Sequence, residues 1–190
     1  YLPSHGLSNL MKIVAQGQSD FQDCLFYTGH ERSYELRQLQ QFLRESLSPR
    51  QLTILDIHTG LGAFKQESLI AGGTPLDAKR KRATEQLFRA KFITADHPGF
   101  YPCLGILEEL MLETFPKAEV LHITQEFGTR HFLKVLETLV LEGAQWKATH
   151  ELEPDRVNPM LHCFFPREKD WREHVVARGV QRFFELYDTI

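Results

Sequence analysis

Two stretches of this chain close an apolar strand pattern with an ionisable side chain, and a glycine stands two residues on. In the first, Leu52–Gly62 reads LTILDIHTGLG, where Leu52, Ile54, Leu55 and Ile57 form a short run rich in β-branched residues. Such a run predicts a strand over Leu52–Ile57, buried on both faces of a parallel sheet. Asp56 and His58 stand at its carboxyl end, and strand alternation puts both side chains on one side. Gly60 and Gly62 then let the backbone turn sharply and approach a ligand. In the second, Ala118–Phe127 reads AEVLHITQEF: Val120, Leu121 and Ile123 make the strand, Glu126 stands at its end and Gly128 follows two residues on. Parallel strands of an open α/β sheet end on one side, where ligands bind, so His58 and Glu126 are expected to share a crevice. An imidazole placed there is a metal-ligating group, with Asp56 orienting the ring from behind. A carboxylate beside a metal-activated water takes its proton and passes it to the leaving group. Those are the parts of a zinc-water hydrolase. The plainer alternative is a capped strand end with a hydrogen-bonded His.

The elements that must position these residues alternate between helix and strand. Leu7, Leu10, Met11 and Val14 predict a helix over Tyr1–Gln16, and Leu25–Tyr27 a short strand. Ser33 caps an amphipathic helix, Tyr34–Leu47, built on Leu36, Leu39, Phe42, Leu43 and Leu47. After the His58 strand, Phe64–Asp77 reads as loop, Ala78–Ala90 as a basic helix with a solvated face, and Lys91–Thr94 as a strand. Gly105–Phe115 is a helix stopped by Pro116, and His131–Leu141 a helix after the Glu126 strand. Trp146–Pro159 reads as polar loop and Leu161–Phe165 as a short apolar segment. Asp170–Tyr187 is a closing helix, with Trp171, Val175, Phe183, Phe184 and Leu186 packing on the sheet. The order predicts an α/β fold, a three-layer α/β/α sandwich with a mostly parallel sheet, in a single domain over 1–190.

Composition narrows the partners. The 190 residues carry a formal charge of −3, which argues against nucleic acid or an anionic membrane as the main partner. No apolar run is long enough to span a bilayer, and no basic-then-apolar signal pattern opens the chain. Cys24, Cys103 and Cys163 lie far apart without CxxC spacing, which fits a reducing cytoplasm better than a disulfide framework.

Four stretches occur in a telling order: GQ at Gly17-Gln18, LFYTG at Leu25–Gly29, DIHTGLG at Asp56–Gly62 and QEFGT at Gln125–Thr129. Together they resemble the DUF2817 group of the M14-like zinc carboxypeptidases, relatives of the succinylglutamate desuccinylases and aspartoacylases. The resemblance implies a zinc carboxypeptidase-like fold and a zinc-dependent hydrolase that cleaves an amide bond in a small peptide or acyl-amino acid. It implies that His58 is a zinc ligand and Glu126 the general acid/base. Such enzymes take two further ligands from an upstream HxxE motif and contact the substrate carboxylate through an NRN-like stretch, neither of which precedes Leu25. Because a catalytic zinc wants three protein ligands, and the chain begins at Tyr1, it is read as the C-terminal part of a longer catalytic domain.

The remaining candidates rest on single features. Arg130, just past the EFGT turn, has the bidentate fork that grips a carboxylate and is the candidate substrate-binding residue; a surface Arg at a helix start is the alternative. His150–Glu153 is an HxxE in a polar, proline-bounded stretch and reads as coincidence. Cys103 near His97 reads as a buried small hydrophobe rather than a nucleophile. His122 and Gln125 read as core hydrogen-bonding groups, and Tyr27 and Tyr101 as packing residues. Two rival functions stand beside the zinc hydrolase: a non-catalytic binding module that has lost the metal, and a metal-independent hydrolase using Cys103.

Overall fold

Ser33 opens the first long helix by accepting from Leu36 N at 3.3 Å, and α1 (Tyr34–Ser46) ends at Leu47, whose N–H returns to Leu43 O. The computed structural model describes residues 13–188 apart from 15, 61, 72–77, 94–104 and 152. After α1 come β1 (Gln51–Gly60), β2 (Glu67–Ala71), α2 (Ala78–Phe88), β3 (Phe92–Ile93) and α3 (Leu107–Thr114). They are followed by β4 (Glu119–Gly128), α4 (Phe132–Thr149), α5 (Pro154–Phe164) and α6 (Lys169–Tyr187). Helices flank a four-stranded sheet in the order β1-β4-β2-β3, an α/β sandwich. Among the described residues no helix is long and apolar enough to cross a membrane.

The sheet is mixed. β2 runs parallel to β3 and antiparallel to β4, with Ser68 opposite Glu126 and Leu69 opposite Gln125. β1 and β4 run in the same direction: Glu119 N donates to Arg50 O at their starts, and His58 faces Glu126 near their ends. β2 lies in the stretch Phe64–Asp77 that the sequence presents as loop. Five residues of weak alternation carry little signal, but pairing between β4 and β3 buries Leu69 and Ala71 and makes the segment a strand.

By packing the chain divides into two compact units, Tyr1–Ile54 with Pro98–His122, and Leu55–His97 with Ile123–Ile190. In the first, Leu110, Met111, Phe115 and Val120 form the core, against which Leu43, Leu52 and Ile54 pack. α1 departs from its predicted face: Leu36, Leu39, Phe42 and Leu47 are exposed, whereas Gln40 is buried and accepts from Arg32. In the second, Leu69, Ala71, Phe88, Phe92, Ile123, Phe127 and Trp171 are buried.

Other expectations change for identifiable reasons. Among the described residues β1 lies at the edge of the sheet, and its Ile57 is 51% exposed rather than buried on both faces. Leu25–Tyr27 is no strand but a single parallel bridge, Gln18 to Tyr27. The predicted loop Trp146–Pro159 is largely helical: α4 continues to Thr149, and α5 starts at Pro154. Proline at the first helical position is favourable, because its missing N–H would be unpaired there anyway. In α6, Trp171 packs inward as predicted, but Phe183 and Phe184 point outward while Arg182 and Gly179 take the buried face. Ile13, Val14 and Gln16 are helical or close to Gly17, and the rest of the predicted N-terminal helix lies outside the described residues.

Candidate functional site

The last residues of β1 and β4 belong to one unit, and the two strand ends are fastened to each other by backbone. Gly128 closes β4, and the turn leaving β1 crosses it so closely that a Cβ there would lie 2.0 Å from Ala63 O. Lys65 N donates to Gly128 O at 3.0 Å, Gly128 N to Gln66 O at 2.8 Å, and Trp171 Nε1 to Gly128 O at 2.9 Å. Thr129, fully buried, donates its hydroxyl to Gly60 O at 2.9 Å and also approaches Cys163 O. The glycine after Glu126 is therefore a packing requirement of this crossing. Gly128→Ala is expected to destabilise the fold by about 2 kcal/mol, as overpacking against rigid backbone does, measured by urea denaturation at constant m-value. An unchanged midpoint would show that the crossing relaxes freely.

This fastening sets the ends of β1 and β4 side by side. His58 stands half-exposed between two carboxylates. Its Nε2 lies 3.0 Å from Asp56 Oδ2, two residues back on the same strand face, and its Nδ1 lies 3.8 Å from Glu126 Oε2 on β4. Glu126 is the more enclosed carboxylate, with its side chain 12% exposed against 23% for Asp56. The Asp56 hydrogen bond raises the His58 pKa above its ordinary value; burial pulls it down, and the charges of Asp56 and Glu126 add to the rise. Ser68 lies opposite Glu126 in the β2–β4 register, on the same side of the sheet.

This donor set has the chemistry of half a metal site. A carboxylate on one imidazole nitrogen is the usual support of a metal-bound His, fixing its tautomer and orientation. The Nδ1 nitrogen, 3.8 Å from Glu126, is the imidazole nitrogen left to hold a metal, which would place the Glu126 carboxylate beside it. No cluster of three or more His, Cys, Asp or Glu suited to a metal occurs among the described residues.

The structure thus brings together His58 and Glu126. It engages Arg130 elsewhere: the guanidinium donates to Glu168 Oε1 at 2.6 Å and lies 5.5 Å over the Phe64 ring. That hydrogen bond holds the Glu168 carboxyl below its ordinary range. His150 ends α4 in a left-handed conformation with its ring against Trp146, and Glu153 precedes α5, so the HxxE there joins two helices. Tyr27 meets the ring of His30, and His122 and Gln125 are buried on β4. Cys103, His97 and Tyr101 lie outside the described residues.

A charged cluster on the opposite face of β4 escaped the sequence. Glu67 Oε1 accepts from Gln125 Nε2 and Arg182 Nε, both at 2.8 Å, and its other oxygen from Arg178 and Arg182. Arg182 also donates to Phe88 O and Glu185. Burial pushes the Glu67 carboxyl up, but these hydrogen bonds outweigh it and hold it at about 2. The available signal was the spacing of Arg178 and Arg182, four apart and so on one helix face.

A family model described as "Protein of unknown function (DUF2817)" matches residues 1–178. No curated protein and no solved structure matches the chain.

Proposed function

The chain belongs to the DUF2817 family, and from that premise we propose that it is a metal-dependent hydrolase of the M14-like zinc carboxypeptidase or deacylase type, cleaving an amide bond. The observation that carries the reading is His58 held between Asp56 and Glu126 at the ends of adjacent strands. Asp56 keeps the proton of the imidazole on Nε2 and so leaves Nδ1 as the ligating atom. Bound zinc supplies Lewis acidity, polarising the scissile carbonyl and bringing the pKa of a water to about 7. Glu126 accepts the proton of the attacking water and delivers it to the departing amine. The reading requires zinc donors beyond the described residues, since a catalytic zinc takes three protein ligands. Arg130 is the proposed carboxylate grip for a small peptide or acyl-amino acid, and binding there exchanges Glu168 for the substrate carboxylate. Free Cys24 and Cys163 accord with a cytoplasmic location.

Zinc titration monitored by calorimetry, with metal content by mass spectrometry, tests this. His58→Ala is expected to abolish stoichiometric zinc, and Asp56→Asn to weaken it about 10–100-fold by releasing the ring from its orienting carboxylate. Zinc retained in full by His58→Ala would place the metal away from His58 and overturn the reading. A parent protein carrying its remaining ligands yet taking up no zinc would favour the binding module, in which the triad is a hydrogen-bonded strand end without metal.

A further inference from the structure

Helix α2 ends on an arginine where backbone geometry favours glycine. Arg89 has φ 46°, and the bonds from Ala90 N to Glu85 O at 3.1 Å and from Arg89 N to Gln86 O at 3.3 Å form the crossed pair that closes a helix through a left-handed residue. Glycine takes that conformation freely, whereas a side chain there is strained. The same turn opens a hollow of about 340 Å³ lined by Arg82, Glu85, Gln86, Arg89, Ala90 and Lys91. Glu85 is already engaged: its Oε1 accepts from Phe92 N at 3.5 Å, and its Oε2 lies 3.8 Å from Lys91 Nζ. Arg82 and Arg89 are exposed, and neither guanidinium has an ion pair or hydrogen bond among the described residues. The carboxyl end of a helix ordinarily repels anions. Here the closing turn occupies the carbonyls of Glu85 and Gln86, and Arg182 Nη1 donates to Phe88 O at 2.6 Å.

We propose that this hollow binds the phosphoryl group of a phosphorylated ligand, held between the guanidinium forks of Arg82 and Arg89. The Gln86 amide is a further donor on the same lining, and Lys91 is a cation at its rim. Charge and geometry choose phosphate. A phosphoryl group carries about −1.5 to −2 charges at neutral pH, which matches two guanidinium groups without an ion pair of their own. Its oxygens accept from both forks at once, whereas a single carboxylate leaves one arginine unmatched. The setting favours a compact anion over a nucleic acid. Residues 79–91 hold six Lys and Arg against one Glu, in a chain whose formal charge is −3, so the positive field is local. The volume lies near the lower end of small-molecule sites, about 300–1,000 Å³. An arginine kept at a strained helix end, at some expense to stability, is what a ligand-gripping role there explains.

Titration of the whole chain with inorganic phosphate, followed by backbone amide NMR shifts, is the experiment. A Kd on the order of 1 mM or below is expected, with shifts concentrated at residues 82–91 and affinity falling as salt rises. Arg82→Gln should weaken binding at least about 10-fold. Arg89→Gly separates ligand from fold: it should weaken binding at least about 10-fold while raising the melting temperature by about 2–4 °C, because glycine relieves the left-handed residue. Lys169→Gln, at an exposed cation on α6, should leave the affinity as it was. Phosphatidylcholine vesicles with and without phosphatidylinositol phosphate distinguish the sources. Co-sedimentation with the phosphorylated lipid alone, reversed by inorganic phosphate, assigns the site to a lipid headgroup; no co-sedimentation assigns it to a soluble phosphorylated molecule. Absence of phosphate-dependent shifts at residues 82–91 overturns the proposal. So does an affinity that survives Arg89→Gly, or one lost equally in Lys169→Gln, which would belong to the general field of the surface. A melting temperature lowered by Arg89→Gly overturns the ligand-gripping role of Arg89.

Discussion

Replacing Glu126 by Gln in the zinc-loaded protein is expected to lower kcat by on the order of 10² to 10⁴ and leave zinc content and melting temperature as they were. The carboxylate sits 3.8 Å from His58 Nδ1 with its side chain 12% exposed, beside the imidazole proposed to hold the metal. Its proposed task is to move a proton from water to leaving group. The amide of Gln is close in shape but accepts no proton at neutral pH. A Glu126 that served structure would behave oppositely: Gln would shift the melting temperature and spare the rate. The measurement is kcat on a panel of peptides and acyl-amino acids, beside zinc analysis and thermal melting of both forms. Full activity in the variant would remove Glu126 from the mechanism and with it the chief support for an enzyme.

Removing Glu67 should be the costliest substitution for stability. Arg182, with a side chain 4% exposed, would keep its charge and lose the carboxylate that balances it. Breaking a buried pair from one side costs about 3–5 kcal/mol, and Glu67→Ala is expected in that range by chemical denaturation. The same pair makes the fold acid-sensitive in a defined window. The folded carboxyl titrates at about 2 and its ordinary value is 4.5, so in that interval the unfolded chain binds more protons. Glu67 therefore contributes stability in full above about pH 4.5, roughly 3 kcal/mol at 1.36 kcal/mol per unit, and loses it as pH falls toward 2. Glu67→Gln should flatten that part of the stability profile relative to the parent protein. If parent and variant lose equal stability between pH 6 and pH 3, the acid sensitivity belongs to other carboxylates.

The two polar strand ends that the fold brings together were legible from local pattern. Apolar residues ending in Asp56 and His58, or in Glu126, followed by glycine, are short-range signals, and a strand's period of two fixes which side chains share a face. The strands at 51–60, 92–93 and 119–128 and the helices at 34–46, 78–88, 107–114 and 169–187 follow from the same kind of periodicity. Ser33 at a helix start likewise needs no distant partner to act.

What the sequence determined by itself was thus a set of elements and two polar strand ends near glycine, but not which face of α1, β1 or α6 turns inward. Tertiary structure decided the rest. It made β2 a strand, because five residues gain that conformation only when β4 and β3 pair with them. It set β1 beside β4, which turned two strand ends 68 residues apart into one site with His58 and Glu126 3.8 Å apart. It also rolled α6 so that Arg178 and Arg182 meet Glu67 while Phe183 and Phe184 face outward, against the plain expectation that aromatic residues turn inward. Hydrophobicity is a property of each residue and can be read in order along the chain. A buried ion pair exists only between residues that the fold has already brought together, and Glu67 and Arg182 are joined by no pattern short of the fold itself.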